Sequence, residues 1–215
     1  MAFMLAMTVH PEVQKRAQEE LDAIIGPDRL PTFEDRDSLP YINAILKEVA
    51  RWQPVIPLGI PHKSTEDLTY KGYRIPAGSV IIPNIWSVKG GAARRMHSRL
   101  FPITTRRAIS RDPSVYSDPE RFAPERFLGS DGPNTNTRDT SESQFGFGRR
   151  WVPVLAHRTS LLIHHSICPG RHFAVDALFL SIASILHVFD IQPPIGPDGR
   201  PQRVEPKINL DHALA

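Results

Sequence analysis

A single cysteine among 215 residues leaves no intramolecular disulfide for this chain. Long apolar runs are missing too: no stretch approaches the ~18 residues of a membrane-spanning helix, so no span is expected. The opening MAFMLAMTV is apolar, but it is too short for a secretory signal and has no basic start. No internal repeat or low-complexity tract is present, which excludes a repeat array. Proline is the opposite case, with 21 residues falling mostly at turns. The tract GPNTNTRDTSES, Gly132 to Ser143, reads as a polar loop. By length the chain is about one domain.

The lone cysteine, Cys168, lies in ICPGRHFA, and sixteen residues separate that stretch from FGFGRR, Phe145 to Arg150. A cysteine without context is usually a buried apolar side chain. Here Pro169 and Gly170 place the sulfur just before a helix start, where free N–H groups and the positive helix end favour an anion. The thiolate is also the form that ligates metals. Gly146 and Gly148 suit a tight turn through which backbone can approach a flat macrocycle. Joined end to end, the two pieces read FGFGRRICPGRHFA. That string resembles the Phe-x-x-Gly-x-Arg-x-Cys-x-Gly signature of the cytochrome P-450 family, the heme-thiolate monooxygenases.

The resemblance implies roles for particular residues. Cys168 would be the axial ligand of the iron in heme b (iron protoporphyrin IX), Arg150 a propionate partner, and Phe145, Gly148 and Gly170 parts of the surrounding loop. A thiolate trans to the open site pushes electron density onto iron and favours O–O cleavage. PLGIPH, Pro57 to His62, stands where the family has a second propionate-binding basic residue. His62 is either that residue or a surface histidine.

Other segments follow in the family's order. SLPYINAILKEVARW, Ser38 to Trp52, places Ile42, Ile45, Leu46 and Val49 at helical spacing, so one buried stripe is expected. Glu48 and Arg51, three apart, share a helix face and can pair; taken alone such a pair is a solvated one worth little. They resemble the family's Glu-x-x-Arg motif, and FAPERF, Phe122 to Phe127, resembles its companion. By that resemblance Glu48, Arg51 and Arg126 form a structural triad behind the heme, scaffold rather than catalyst.

Two stretches break the register: Ser87 to Arg107 and Trp151 to Ser166. Together they hold seven Lys and Arg and no Asp or Glu; without them Lys plus Arg falls from 26 to 19 against 23 acids, and +3 becomes −4. The basic excess comes from these stretches and no nucleic-acid motif accompanies it, so no nucleic-acid partner is expected. They are 21 and 16 residues long, and their removal restores the family register, so both are expected to be retained introns. The second stretch separates Arg150 from Cys168, which the family keeps two positions apart.

The expected fold is mainly α with a small β part, an incomplete, C-terminal portion of the cytochrome P-450 fold spanning residues 1–215. Helices are expected at Pro11 to Ile25, closed by Gly26 as a C-cap, at Pro40 to Trp52 and at Pro169 to Val188, with a small sheet from Leu68 to Ile82. Turns are expected at Lys71-Gly72 and Pro76-Ala77-Gly78, and the meander Asp112 to Leu128 is expected as coil. Family members are much longer, which implies that the N-terminal sheet, the substrate-recognition regions and most of the distal helix are lacking. No counterpart of the distal proton-delivery pair is then expected, and the helices at Ile42 to Val49 and Phe173 to Val188 are expected to expose apolar faces.

Two functions follow. One is a monooxygenase inserting one atom of O₂ into a small organic substrate, with electrons from an NADPH-dependent flavin reductase. The other is a truncated, intron-retaining product without catalysis, at best a weak heme binder. Full-length eukaryotic members are anchored at the endoplasmic reticulum.

Overall fold

A computed structural model of the protein describes residues 2–56, 59–83, 85, 109–129, 132–134, 137, 145, 168 and 170–204. Four α-helices are found among them: α1 (Ala2–Val9), α2 (Pro11–Ile24), α3 (Pro40–Trp52) and α4 (Arg171–Val188). In α2, Val13, Gln14, Ala17 and Leu21 fall on one face and are buried. The helix closes as its sequence promises: Ile25 N–H donates to the Leu21 carbonyl at 2.8 Å, and Gly26 follows in the left-handed region at φ 71°.

The start of α3 is less obvious. Pro40 stands at its first turn, and Leu39 at the N-cap has no polar side chain to offer. Glu20, on α2, takes that place: its two carboxylate oxygens accept the N–H groups of Tyr41 at 2.9 Å and Ile42 at 3.1 Å. A neighbouring helix therefore caps this one and fixes their relative position. Burial pushes the Glu20 carboxyl up, and the two backbone N–H donors pull it back in part.

One core joins the helices. Ala6 and Met7 of α1, Leu21 of α2, Ile42 and Ile45 of α3, and Phe179, Ile182 and Leu186 of α4 belong to a single buried cluster. The expectation of an exposed apolar face on α3 is thus wrong: α1, α2 and α4 cover it. On α4 it holds, since Phe173 is 80 % and Val188 55 % exposed. This helix is also long and apolar enough to cross a membrane, which the sequence reading did not foresee. Its buried residues at 179, 182, 183 and 186 form one helical face against α2 and α3, as in a core helix. Gln14 ties the segment after α4 back to α2: its amide donates to Asp190 Oδ1 at 2.8 Å and accepts from Ile191 N–H at 2.9 Å.

The β part is small and divided. Hairpin β2 (Leu68–Tyr70) and β3 (Tyr73–Ile75) turns at Lys71 and Gly72, with φ 50° and 82°. Two successive positive φ values are those of the tight turn that matches strand twist. Outside it, β1 (His62–Lys63) pairs antiparallel with β4 (Val80–Ile81), so strand structure begins at His62, before the expected Leu68. The turn at 76–79 is closed by Ser79 N–H donating to the Pro76 carbonyl at 3.2 Å, with Gly78 at φ 84°. A third pair joins β5 (Leu128–Gly129) to β6 (Gly132–Pro133). These are three separate two-stranded pairs rather than one sheet.

Further corrections concern short helical turns. The meander is not all coil, since Pro124–Phe127 form a 3₁₀ turn and Leu128 opens β5; a second 3₁₀ turn, Ile109–Arg111, precedes it. The last helix begins at Arg171 rather than Pro169, with Gly170 at its N-cap.

Candidate functional site

Glu48 and Arg51 lie on the α3 face turned toward the meander, and both are wholly inaccessible to solvent. Arg51 holds Glu48 side-on: Nε donates to Oε2 at 2.7 Å and Nη2 to Oε1 at 2.8 Å. Its other donors reach backbone carbonyls, Nη1 to Ser110 at 3.0 Å and Pro119 at 2.7 Å, and Nη2 to Arg121 at 3.1 Å. A guanidinium has five N–H donors. All five are satisfied, which is the condition for burying such a charge at tolerable cost.

Glu48 is shared. Its Oε1 also accepts the Ala123 N–H at 2.7 Å and Arg126 Nε at 3.2 Å. Arg126 in turn donates to the carbonyls of Ser117 at 2.8 Å and Arg121 at 3.1 Å. The structure thus brings Glu48, Arg51 and Arg126 together on one carboxylate. Trp52 Nε1 adds a bond to the Glu120 carbonyl at 3.0 Å. Carbonyls from residues 110 to 121 converge on cations carried by α3 and the 3₁₀ turn at 124–127, so the network dictates the meander's path. Sequence reading found the three charged residues but missed Ser110, Pro119, Arg121 and Ala123, whose backbone groups leave no trace in residue type.

An outer contact braces the same joint. Tyr41 donates its hydroxyl to Glu125 Oε1 at 2.8 Å, and Arg16 reaches that oxygen at 3.1 Å while its guanidinium lies 4.4 Å from the Tyr41 ring centre. Burial, then the Glu125 carboxylate, pushes the Tyr41 phenol well above its usual range.

At the other end of the chain, Cys168 is exposed. Its N–H donates to the Phe145 carbonyl at 3.0 Å, and its own carbonyl accepts from Arg171 N–H at 3.0 Å. The first helical bond of α4 follows, Ala174 N–H to Gly170 carbonyl at 2.9 Å. A methyl group added at Gly170 would lie 3.7 Å from the sulfur, in van der Waals contact with it, so Gly170 borders Sγ. Phe145, Cys168 and Gly170 are therefore brought together. Arg150 and Gly148 lie outside the described residues, as do both register-breaking stretches. His62 is half-buried on β1, opposite Ile81.

A buried Glu-x-x-Arg carboxylate clamping a meander, and a cysteine one turn ahead of an apolar helix, define a scaffold whose family can be checked against known proteins. The sequence model described as Cytochrome P450 matches residues 1–90 and 103–210. The chain belongs to the cytochrome P450 family. It is 41 % identical over 202 residues to Cytochrome P450 monooxygenase 58 of Postia placenta, covering 93 % of this chain and 31 % of that protein. To Cytochrome P450 monooxygenase claR of Ampulloclitocybe clavipes it is 42 % identical over 205 residues, 95 % of this chain and 31 % of the relative. To Cytochrome P450 monooxygenase CLM2 of Gibberella zeae it is 38 % identical over 209 residues, 97 % and 31 % respectively. The chain therefore spans about a third of the length of the curated relatives it matches.

Proposed function

We propose that this chain corresponds to the C-terminal part of a heme-thiolate monooxygenase and that Cys168 is the axial ligand of heme b. The observation that carries the reading is the 3.0 Å bond from Cys168 N–H to the Phe145 carbonyl, which brackets the intervening residues and keeps both ends of the signature together. The exposed thiol, the small Gly170 beside it and the helix that follows fit a flat macrocycle set against the sulfur. As an iron ligand the sulfur would act in its thiolate form. Arg150 and His62 would neutralise the propionates, Phe145, Gly148 and Gly170 would shape the loop, and Glu48, Arg51 and Arg126 would brace the protein behind it. When bound, the heme supplies oxygen activation: O₂, two electrons and two protons give one oxygen atom inserted into a C–H bond of a small organic substrate and one molecule of water. An NADPH-dependent flavin reductase would supply the two electrons.

A second reading is favoured by the sixteen-residue stretch Trp151 to Ser166, which lies between Arg150 and Cys168. The family keeps those two side chains two positions apart, and displacing the groups around a ligand costs affinity even when the ligand stays. In that reading the chain is an intron-retaining product that binds heme weakly and catalyses nothing. A carbon monoxide difference spectrum of the reduced, heme-supplemented chain separates the two. The monooxygenase reading expects a Soret band at the thiolate position, lost in Cys168→Ser. No heme uptake, or a band of non-thiolate ligation unchanged in Cys168→Ser, overturns it in favour of the second.

A further inference from the structure

The residues on either side of the first register break are hydrogen-bonded to each other. Ser110 donates twice to the Ile85 carbonyl, from its N–H at 3.2 Å and from its hydroxyl at 2.6 Å. Both residues are buried, and the Ser110 carbonyl accepts from Arg51, so this pair is anchored in the charged network rather than at the surface. In the chain as written, Ile85 and Ser110 are 25 positions apart.

The arithmetic of that separation is informative. Residues 87–107 number 21, and 25 less 21 is 4. Without them the order is Ile85, Trp86, Ala108, Ile109, Ser110, and the observed bond joins an N–H to the carbonyl four residues earlier. That is the defining bond of an α-helix. The second bond, from a serine hydroxyl to the carbonyl four residues back, is a habit of serine inside helices. Ile109–Arg111 already form a helical turn on the far side. Asn84 supplies a residue type suited to an N-cap just before Ile85.

Two independent features agree. The family model leaves residues 91–102 unmatched, in the middle of this stretch, and matches its two ends, 87–90 and 103–107. The stretch also carries six basic residues and no acidic one, whereas the chain outside the two stretches holds 19 Lys plus Arg against 23 Asp plus Glu. We infer that residues 87–107 interrupt a single helical turn running from Ile85 to Arg111, and that the functional product is a shorter chain in which this turn is continuous. The inference rests first on the Ile85–Ser110 geometry and stands whether or not the chain binds heme.

Register makes the test specific. Three deletions in the full chain are compared by urea unfolding: residues 87–107, residues 87–106 and residues 87–108. All three remove nearly the same length of loop and gain nearly the same closure entropy. Only the first places Ser110 four positions after Ile85; the others give five and three. The 87–107 deletion is expected to retain native helix content and to unfold at a midpoint higher than either neighbour by about 0.5 M, one hydrogen bond over the denaturant slope. Equal midpoints, or a chain that loses its helix content only in the 87–107 deletion, overturn the inference. Amide hydrogen exchange on the unaltered chain is the second measurement. The Ser110 N–H is expected to be protected, and exchange at the open-chain rate overturns it as well.

Discussion

Replacing Glu48 by glutamine removes one charge and leaves the shape nearly unchanged, yet it strikes the point where most of the meander is held. Glu48 Oε1 and Oε2 together accept from Arg51 twice, from Arg126 and from the Ala123 N–H. Glutamine offers one acceptor oxygen and turns two N–H donors toward a guanidinium that can only donate. Two arginines are then left without an anion, and Arg51 has no access to water that would replace it. Breaking a buried ion pair by removing one partner costs about 3–5 kcal/mol. With a denaturant slope of about 2 kcal/mol/M, Glu48→Gln should lower the urea midpoint by roughly 2 M, measured by far-UV circular dichroism. That is a large share of the ~5–15 kcal/mol holding a domain folded, so partial unfolding without denaturant is also consistent. Arg74→Ala serves as the control. It removes an ion pair of similar length, Arg74 to Asp67 at 2.6 Å, from an exposed hairpin. An exposed pair is worth about 0–1 kcal/mol. If both variants shift the midpoint equally, the argument from burial is wrong.

Two further outcomes follow from single carboxylates. Glu20→Ala should cost about 1–2 kcal/mol of stability by uncapping α3, whereas Glu20→Gln, which keeps an acceptor, should cost less; equal losses in thermal melts would show that the cap bonds at Tyr41 and Ile42 do not matter. Asp35 accepts from Arg29 and from the Thr32 N–H, each at 2.7 Å, and Arg29 foremost holds its carboxyl far below the usual value of 3.8. A folded-state pKa below the unfolded one gives stability that is present above the unfolded pKa and fades as pH falls toward the folded one. Asp35→Asn should therefore flatten the loss of stability below pH about 4, read from melting temperature against pH, and an unchanged acid limb would refute it.

Much of the architecture is legible in residue order. Prolines at helix starts, Gly26 after α2, Lys71-Gly72 between two short β runs and an apolar stripe on α3 are local signals, because each constrains a backbone angle or a helix face within a few residues. The pairing of Glu48 with Arg51 is legible for the same reason, being three residues along one helix. Cys168 stood out through its neighbours, and the family follows from its signature and from the order of the segments.

Tertiary structure decided what depends on distant parts of the chain. Whether Glu48 and Arg51 form a solvated surface pair or the buried centre of a clamp is invisible in their spacing. The difference is made by carbonyls of residues 110 to 121, arriving from more than fifty positions away. Likewise α3 has no N-cap of its own and borrows Glu20, and the apolar face expected to lie open is covered by α1, α2 and α4. The closeness of Ile85 to Ser110, and of Phe145 to Cys168, is of the same kind. Backbone donors and acceptors are alike in every residue, so sequence specifies that they must be satisfied, and only the folded chain determines by whom.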